Sequence, residues 1–163
     1  MFSKLFQKKA KNFKMYAFTN GFLKSITEVP DPVFSEKMMG DGIAIEPDIN
    51  DGTIYAPCDG EVILVMETNH AVGIKMENGI EVLLHLGLET CTLDGSDIEV
   101  FVKVGDKVSA NQKIAKMNVQ SLQKANINTI SMMIITQAEN FEILCNENGN
   151  VKYTDHCVEL VRR

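Results

Sequence analysis

Short turn signals that pair glycine with asparagine or aspartate recur along this chain, and they constrain its fold more than any other feature. Tight hairpin turns need residues with φ > 0, and Gly, Asn and Asp adopt such angles at the lowest cost. Short apolar runs, such as residues 62–65, 82–84 and 100–102, separate the signals. This spacing predicts an all-β fold, an antiparallel β-sandwich or barrel-like fold with little helix. The signals are Asn20-Gly21, Gly40-Asp41-Gly42, Asn50-Asp51-Gly52, Asp59-Gly60, Asn78-Gly79, Asp94-Gly95, Gly105-Asp106 and Asn148-Gly149.

Two further patterns refine this fold prediction. Residues 119–125 (VQSLQKA) favour one turn or more of helix, with Asn118 as the residue that caps its N-terminus. Residues 16–21 (YAFTNG) are similar to residues 55–60 (YAPCDG), and the GDGIAI run that begins at Gly40 is similar to the GDKV run that begins at Gly105. These similarities suggest a duplicated strand–turn unit.

The N-terminal residues 1–14 differ from the rest of the chain and form a basic amphipathic tail. Five lysines occur there, and no acidic residue precedes Glu28. On a helical wheel the apolar side chains fall on one side and most lysines on the other, which predicts an interfacial helix on an anionic membrane surface. The alternative is a frayed, solvated tail, because so short a helix is marginal alone in water. Residues 15–163 are predicted to form a single β-sandwich domain.

Bulk properties exclude several classes of function. The net charge of −6 opposes nucleic-acid binding, which needs clustered Lys and Arg. No apolar run approaches the roughly 18 to 20 residues that span a bilayer. The four cysteines show no CxxC or CxH spacing, so reduced thiols in a cytoplasmic protein are expected, and a metal site is not. No secretory signal follows the basic N-terminus, which also favours the cytoplasm.

Two histidines flank the Asn78-Gly79 turn signal. A two-residue loop there would place Glu77 opposite Ile80, and His85 opposite Val72. Because side chains alternate between the two faces of a strand, His70 and His85 would then share one face as diagonal neighbours. The other residues expected on this face are Thr68, Val72, Ile74 and Leu83.

This histidine pair suggests a chemistry in which an imidazole itself carries a group. The third histidine, His156, has no ligand-like spacing to the other two, and the chain contains neither a GxSxG nucleophile elbow nor a phosphate-binding P-loop. A neutral imidazole offers one lone pair for attack, and a second imidazole can donate to phosphoryl oxygens. Thr68 is placed to orient His70 through its hydroxyl. The alternative is that both histidines are satisfied residues of a half-buried sheet.

Four ordered motifs make the sequence similar to a known family. They lie at residues 29–45, 67–71 (ETNHA), 84–90 (LHLGLET) and 102–108 (VKVGDKV). The chain resembles the glucose-type enzyme IIA component of the bacterial phosphoenolpyruvate-dependent sugar phosphotransferase system over about residues 15–160. The resemblance implies an antiparallel β-sandwich built from a duplicated hybrid motif, and a phosphotransferase that uses a phosphohistidine and no cofactor or metal.

The resemblance also implies a role for individual site residues. His85 would accept a phosphoryl group from the histidine phosphocarrier protein and pass it to a cysteine of a sugar-specific IIB domain. His70 would stabilise the phosphoryl group, Thr68 would orient His70, and the carbonyl of Gly87 would bind the other ring nitrogen of His85. The protein would be located in the cytoplasm and would support the uptake of sugar into the cell. It would lie at the inner face of the membrane when residues 1–14 contact lipid.

The partner-binding surface implied by the resemblance is apolar with nearby acids. Several of its positions depart from the common pattern: Leu83 and Leu86 replace aromatic residues, Met66 replaces Phe, and Glu89 replaces Asp. These changes bear on partner preference, since none removes a reacting atom. The predicted partner-binding residues are Asp31, Phe34, Met66, Val72, Leu83 and Glu89.

Two other functions remain open from the sequence. One is a regulatory protein of the same fold that binds transporters or kinases according to its phosphorylation state. The other is a biotinyl or lipoyl carrier module, for which Lys116 is the candidate modified lysine, although no methionine precedes it.

Overall fold

The computed structural model describes residues 12–90 and 96–163, which form fourteen β-strands and three short helices. Ile26–Glu28 is a 3-10 helix, and the α-helices are α1 (Pro32–Ser35) and α2 (Val119–Lys124). The strands are β1 Phe13–Tyr16, β2 Gly21–Ser25, β3 Asp41–Pro47, β4 Thr53–Tyr55, β5 Gly60–Val65, β6 Ala71–Lys75, β7 Glu81–His85, β8 Ile98–Val100, β9 Lys107–Val108, β10 Lys113–Met117, β11 Ser131–Gln137, β12 Phe141–Cys145, β13 Gly149–Val151 and β14 His156–Arg162.

The strands pair into three antiparallel sheets. The largest has eight strands in the order β13-β2-β3-β11-β7-β6-β5-β9, and the two three-stranded sheets have the orders β1-β14-β12 and β4-β10-β8. The prediction of an antiparallel all-β fold with little helix is therefore confirmed.

The middle of the large sheet is buried on both faces. Along β11, Met133 and Ile135 enter the main core, whereas Met132 and Ile134 point to the other face and join a second, smaller cluster. The segment with the 3-10 helix and α1 covers that second face and contributes Ile26, Val29 and Phe34 to the cluster. This covered face is the one that carries the candidate site.

The helices follow local capping chemistry. In α2 the predicted cap is confirmed, because the side chain of Asn118 accepts a hydrogen bond from the backbone N–H of Ser121 at 3.1 Å. The two short helices before β3 were not predicted. Ser25 and Glu28 form a reciprocal capping box around the 3-10 helix, and Asp31 accepts from the N–H of Val33 at the start of α1.

The two similar segments 16–21 and 55–60 lie side by side. Tyr16 N–H donates to the carbonyl of Pro57 at 2.9 Å, and Tyr55 N–H donates to the carbonyl of Phe18 at 2.7 Å. The two hydrogen bonds are thus exchanged between corresponding parts of the two segments. A shared origin of the two units stays a prediction.

The β-sandwich domain begins earlier in the chain than the sequence suggests. Phe13 and Lys14, assigned above to the tail, belong to β1, where Phe13 pairs with Leu160 and its ring packs edge-on against Phe141 at 5.7 Å. Residues 1–11 of the interfacial helix predicted over residues 1–14 lie outside the described residues. Within the described part of the chain, no helix has the length and apolar character needed to cross a membrane.

Candidate functional site

The hairpin that carries the histidines is paired one residue away from the predicted register. Strand β6 pairs with β7 so that Ala71, not Val72, lies opposite His85, and Lys75 lies opposite Glu81. The loop has three residues, because Gly79 at φ 90° donates its N–H to the carbonyl of Met76 at 2.9 Å. A type I turn followed by a left-handed residue is the usual three-residue hairpin, and Asn-Gly suits it as well as the two-residue form.

His70 reaches the site from a turn and not from a strand. Asn69, at φ 62°, donates its N–H to the carbonyl of Met66 and closes the turn that precedes β6. The carbonyl of His70 accepts from Leu86 N–H at 2.7 Å, which fixes this turn to the end of β7. The rings of His70 and His85 lie edge to face with centroids 5.2 Å apart. The predicted pairing of the two imidazoles is confirmed, although strand alternation is not its cause.

One ring nitrogen of His85 is committed to the backbone. Nδ1 donates to the carbonyl oxygen of Gly87 at 2.9 Å. A carbonyl only accepts hydrogen bonds, so Nδ1 carries the proton and Nε2 of the neutral ring keeps its lone pair. Gly87 is itself held by Ser131, whose hydroxyl accepts from Gly87 N–H at 3.0 Å. The orientation of the His85 ring is therefore fixed through two successive hydrogen bonds.

Thr68 contacts the second imidazole. Its hydroxyl hydrogen-bonds to Nδ1 of His70. A hydroxyl donates or accepts, so it fits either tautomer of His70; when it donates, Nε2 of His70 carries the proton. This nitrogen is then a donor beside His85. Phe34 closes another side of His85, with ring centroids 5.0 Å apart.

Burial favours the neutral form of both imidazoles. Desolvation lowers the pKa of His70 below its ordinary value of 6.5. Desolvation also lowers the pKa of His85, and the neighbouring His70 lowers it further, while the hydrogen bond to Gly87 and the charge of Asp31 oppose the change. At neutral pH the site therefore presents uncharged rings.

The two histidines line an open, largely apolar cavity of about 440 Å³, called here the histidine cavity. Of the predicted partner-binding residues, Asp31, Phe34, Met66, Leu83 and Glu89 line it. Sequence reasoning missed four lining residues. Strand alternation could have identified Leu64, which lies two residues before Met66, and Val33 is adjacent in sequence to Phe34. No sequence signal marked the other two. The missed residues are Val33, Met39, Leu64 and Ala71.

Val72 was wrongly placed in this surface. It pairs with Leu84, is 1% exposed and packs in the main core on the opposite face of the sheet. The cause is the hairpin register, because a shift of one residue moves every side chain to the other face. Ala71 takes its place opposite His85.

The cysteines that the structure describes do not line this cavity. Cys58 and Cys157 are buried, and desolvation raises the pKa of each to about 12; Cys145 is exposed and its pKa is raised to about 11. Cys91 lies outside the described residues. Among residues 12–90 and 96–163, no three His, Cys, Asp or Glu side chains group as a metal site would require.

Comparison with known proteins places this geometry in a family. A family model described as phosphoenolpyruvate-dependent sugar phosphotransferase system, EIIA 1, matches residues 13–141. The chain belongs to this family. It is similar to the PTS system glucose-specific EIIA component of Bacillus cereus, with 40% identity over 85% of this chain and 84% of that protein. The corresponding component of Staphylococcus epidermidis is 41% identical over 87% and 86%.

A larger relative and a solved structure agree with membership in the EIIA 1 family. The PTS system glucose-specific EIICBA component of Staphylococcus carnosus is 39% identical over 88% of this chain and 21% of that protein. Glucose permease IIA from Mycoplasma capricolum superposes with a TM-score of 0.86 and 35% identity, over 91% of this chain and 96% of that chain. The protein is thus a component of the sugar phosphotransferase system.

Proposed function

We propose that this protein carries a phosphoryl group on Nε2 of His85. It accepts the group from the phosphohistidine of the histidine phosphocarrier protein and passes it to a cysteine thiolate of a sugar-specific IIB domain. The observation that carries the proposal is the free Nε2 lone pair of a neutral ring, next to the second imidazole of His70. Family membership supplies the system in which such a relay would operate.

The acceptance step is supported by the hydrogen bond to Gly87. The Nε2 lone pair of His85 forms the new N–P bond while the donor's N–P bond breaks and its electron pair returns to the donor imidazole. The ring of His85 then bears positive charge, and the carbonyl of Gly87 at 2.9 Å from Nδ1 stabilises it. Because Nδ1 already carries its proton, the step needs no proton transfer.

In the donation step the thiolate attacks phosphorus, the S–P bond forms, and the N–P bond electrons return to Nε2 of His85. Charge in such a transfer is spread over three phosphoryl oxygens. Nε2–H of His70, held in place through Thr68, can donate to one of them. Exclusion of water by Phe34, Leu83 and the docked partner would protect the phosphohistidine from hydrolysis.

Both partners have to dock on the histidine cavity, because one nitrogen both receives and gives the phosphoryl group. The cavity offers an apolar floor with Asp31 and Glu89 at its edge. A partner surface with an apolar centre and basic side chains around it would be complementary. We further propose that this exchange takes place at the cytoplasmic side of the membrane, which the basic residues that precede β1 contact.

Labelling locates the phosphoryl group directly. The protein is incubated with the two general phosphotransfer proteins and labelled phosphoenolpyruvate, and the label is mapped on peptides. We expect an acid-labile, base-stable label on His85. His156→Gln is the matched control and should label normally, because His156 is exposed and packs against Tyr16 away from the cavity, with ring centroids 4.3 Å apart. Label on His70 or His156, or an acid-stable label, would refute the proposal.

The pH dependence follows from the lowered pKa of His85. As the pH falls, the His85 ring should stay neutral until the pH is below the ordinary imidazole pKa of 6.5. The rate of phosphoryl acceptance should stay constant over the same range. The unfolded chain takes up this proton at higher pH than the folded protein does, so the free energy of unfolding should also fall as pH drops below 6.5. Titration of the His85 ring by NMR measures the midpoint. A midpoint at or above 6.5 would contradict the account.

Gly87→Ala is expected to slow acceptance about tenfold by displacing the carbonyl that orients His85. At φ 77° an alanine is strained, and its Cβ would lie 2.6 Å from Cγ2 of Thr90. Gly79→Ala is the control, because φ is 90° there with nothing within 4 Å of the added Cβ. Both variants should lose about 1 to 3 kcal/mol in the free energy of unfolding. Equal rates of acceptance in the two variants would contradict the positioning role of Gly87.

A further inference from the structure

Two methionine thioethers line the histidine cavity. Met39, which follows α1, and Met66, at the end of β5, are 40% and 39% exposed, and both face the cavity that holds His70 and His85. Four other methionines, Met15, Met117, Met132 and Met133, are at most 1% exposed, whereas Met38 is 69% exposed but does not line the cavity. An oxidant in solution therefore reaches two thioethers at the surface that phosphotransfer partners would bind.

We propose that Met39 and Met66 are oxidation sites through which peroxides reversibly weaken partner docking on the histidine cavity. The inference rests on the proposed function and adds a regulation to the same surface. The thioether sulfur attacks one peroxide oxygen, the O–O bond breaks, and a sulfoxide and water form. The sulfur is oxidised by two electrons, and the peroxide is reduced by the same two.

The sulfoxide changes the cavity because its surroundings are apolar. Each new S–O group is a strong hydrogen-bond acceptor, whereas the lining side chains of Leu64, Leu83 and Phe34 offer no donor, and the relay uses the Nε2–H of His70 for the phosphoryl group. A docked partner that presents apolar side chains here would bury this oxygen without a hydrogen bond, and burial of an unsatisfied polar group is unfavourable. Oxidation of a methionine interface in this way disrupts packing and is reversible by reductases.

The cysteines compete poorly for the oxidant wherever the structure describes them. The thiolate is the reactive form, and burial raises the pKa of Cys58 and Cys157 to about 12. Partial desolvation of the Cys145 thiol and the charge of Asp41 raise its pKa to about 11. Dithiothreitol distinguishes oxidation of Cys91 from oxidation of the methionines. It reverses sulfenic acids and disulfides but leaves methionine sulfoxide in place.

The experiment compares the full chain before and after hydrogen peroxide, with oxidised residues identified by peptide mass. In the natural protein we expect sulfoxide at Met39 and Met66 and an increase of about tenfold in KM for the phosphorylated phosphocarrier protein, with little change in kcat. Methionine sulfoxide reductases should restore KM, and dithiothreitol should not. In the double variant Met39→Leu, Met66→Leu, KM before and after peroxide should be the same.

Met38→Leu is the matched control. Met38 is 69% exposed and adjacent in sequence, but it does not line the cavity, so the variant should keep the full response to peroxide. An unchanged KM with sulfoxide at both positions would overturn the inference, as would an undiminished response in the double variant or oxidation confined to Met38. Failure of the untreated protein to accept phosphate on His85 would instead refute the proposed function.

Discussion

His85→Ala is expected to lower phosphoryl acceptance by at least about a thousandfold, to background labelling, because no other nitrogen in the site is arranged as a nucleophile. Nδ1 of His70 is bound to Thr68, and its Nε2 is the nitrogen that would carry the proton. The measurement is single-turnover labelling by the phosphorylated phosphocarrier protein.

Folding has to be separated from chemistry in this test, because His85 is half-buried against Phe34. His85→Gln serves this purpose, since its side-chain amide can still donate to the carbonyl of Gly87 while offering no nucleophilic nitrogen. We expect the free energy of unfolding of His85→Gln to be closer to that of the natural protein than that of His85→Ala is. Both variants should be equally inactive in phosphoryl acceptance. Stable label in either variant at more than background would contradict the assignment of His85.

His70→Gln is expected to separate the two half-reactions. Acceptance should remain within about tenfold of the natural protein, while donation to the IIB cysteine should slow about a hundredfold. We expect the first step to depend less on His70, because groups around the donor's own phosphohistidine can assist it. In the second step an anionic thiolate approaches an anionic phosphoryl group, so loss of the oriented Nε2–H donor has the larger effect.

Thr68→Val tests the positioning role within the same experiment. It removes the hydroxyl bound to Nδ1 of His70 but keeps the imidazole and nearly the same shape. We expect Thr68→Val to slow donation less than His70→Gln does. In the double variant Thr68→Val, His70→Gln, donation should be little slower than in His70→Gln alone, because both changes affect the same hydrogen-bond donor. Equal slowing of acceptance and donation in His70→Gln would contradict this division of roles.

The sequence predicted which two histidines meet better than it predicted the geometry that brings them together. Turn signals and alternation were sufficient for an antiparallel sheet, and two histidines with a nearby threonine were sufficient to suggest a relay. The Asn78-Gly79 pair fits two loop lengths, however, and local turn preference alone does not select between them. The three-residue loop shifts the register, so that Ala71 reaches the site while Val72 is buried in the core.

Other features depend on contacts that are distant in sequence. His70 faces His85 because a turn through Asn69 at φ 62° redirects the chain, and its carbonyl is held by Leu86. Met39 reaches the cavity because α1 lies over the second face of the large sheet, where Phe34 packs. Residues brought together in this way follow no sequence period, so no pattern in the chain marks them.

The most direct test of the relay is the identity of the nitrogen that holds phosphorus. The protein is labelled with 15N in its histidine rings and phosphorylated, and the 15N–31P coupling is measured by NMR. We predict that phosphorus couples to Nε2 of His85, while Nδ1 of the same ring keeps its proton and its hydrogen bond to Gly87. Coupling to Nδ1 of His85, or to either nitrogen of His70, would contradict the account.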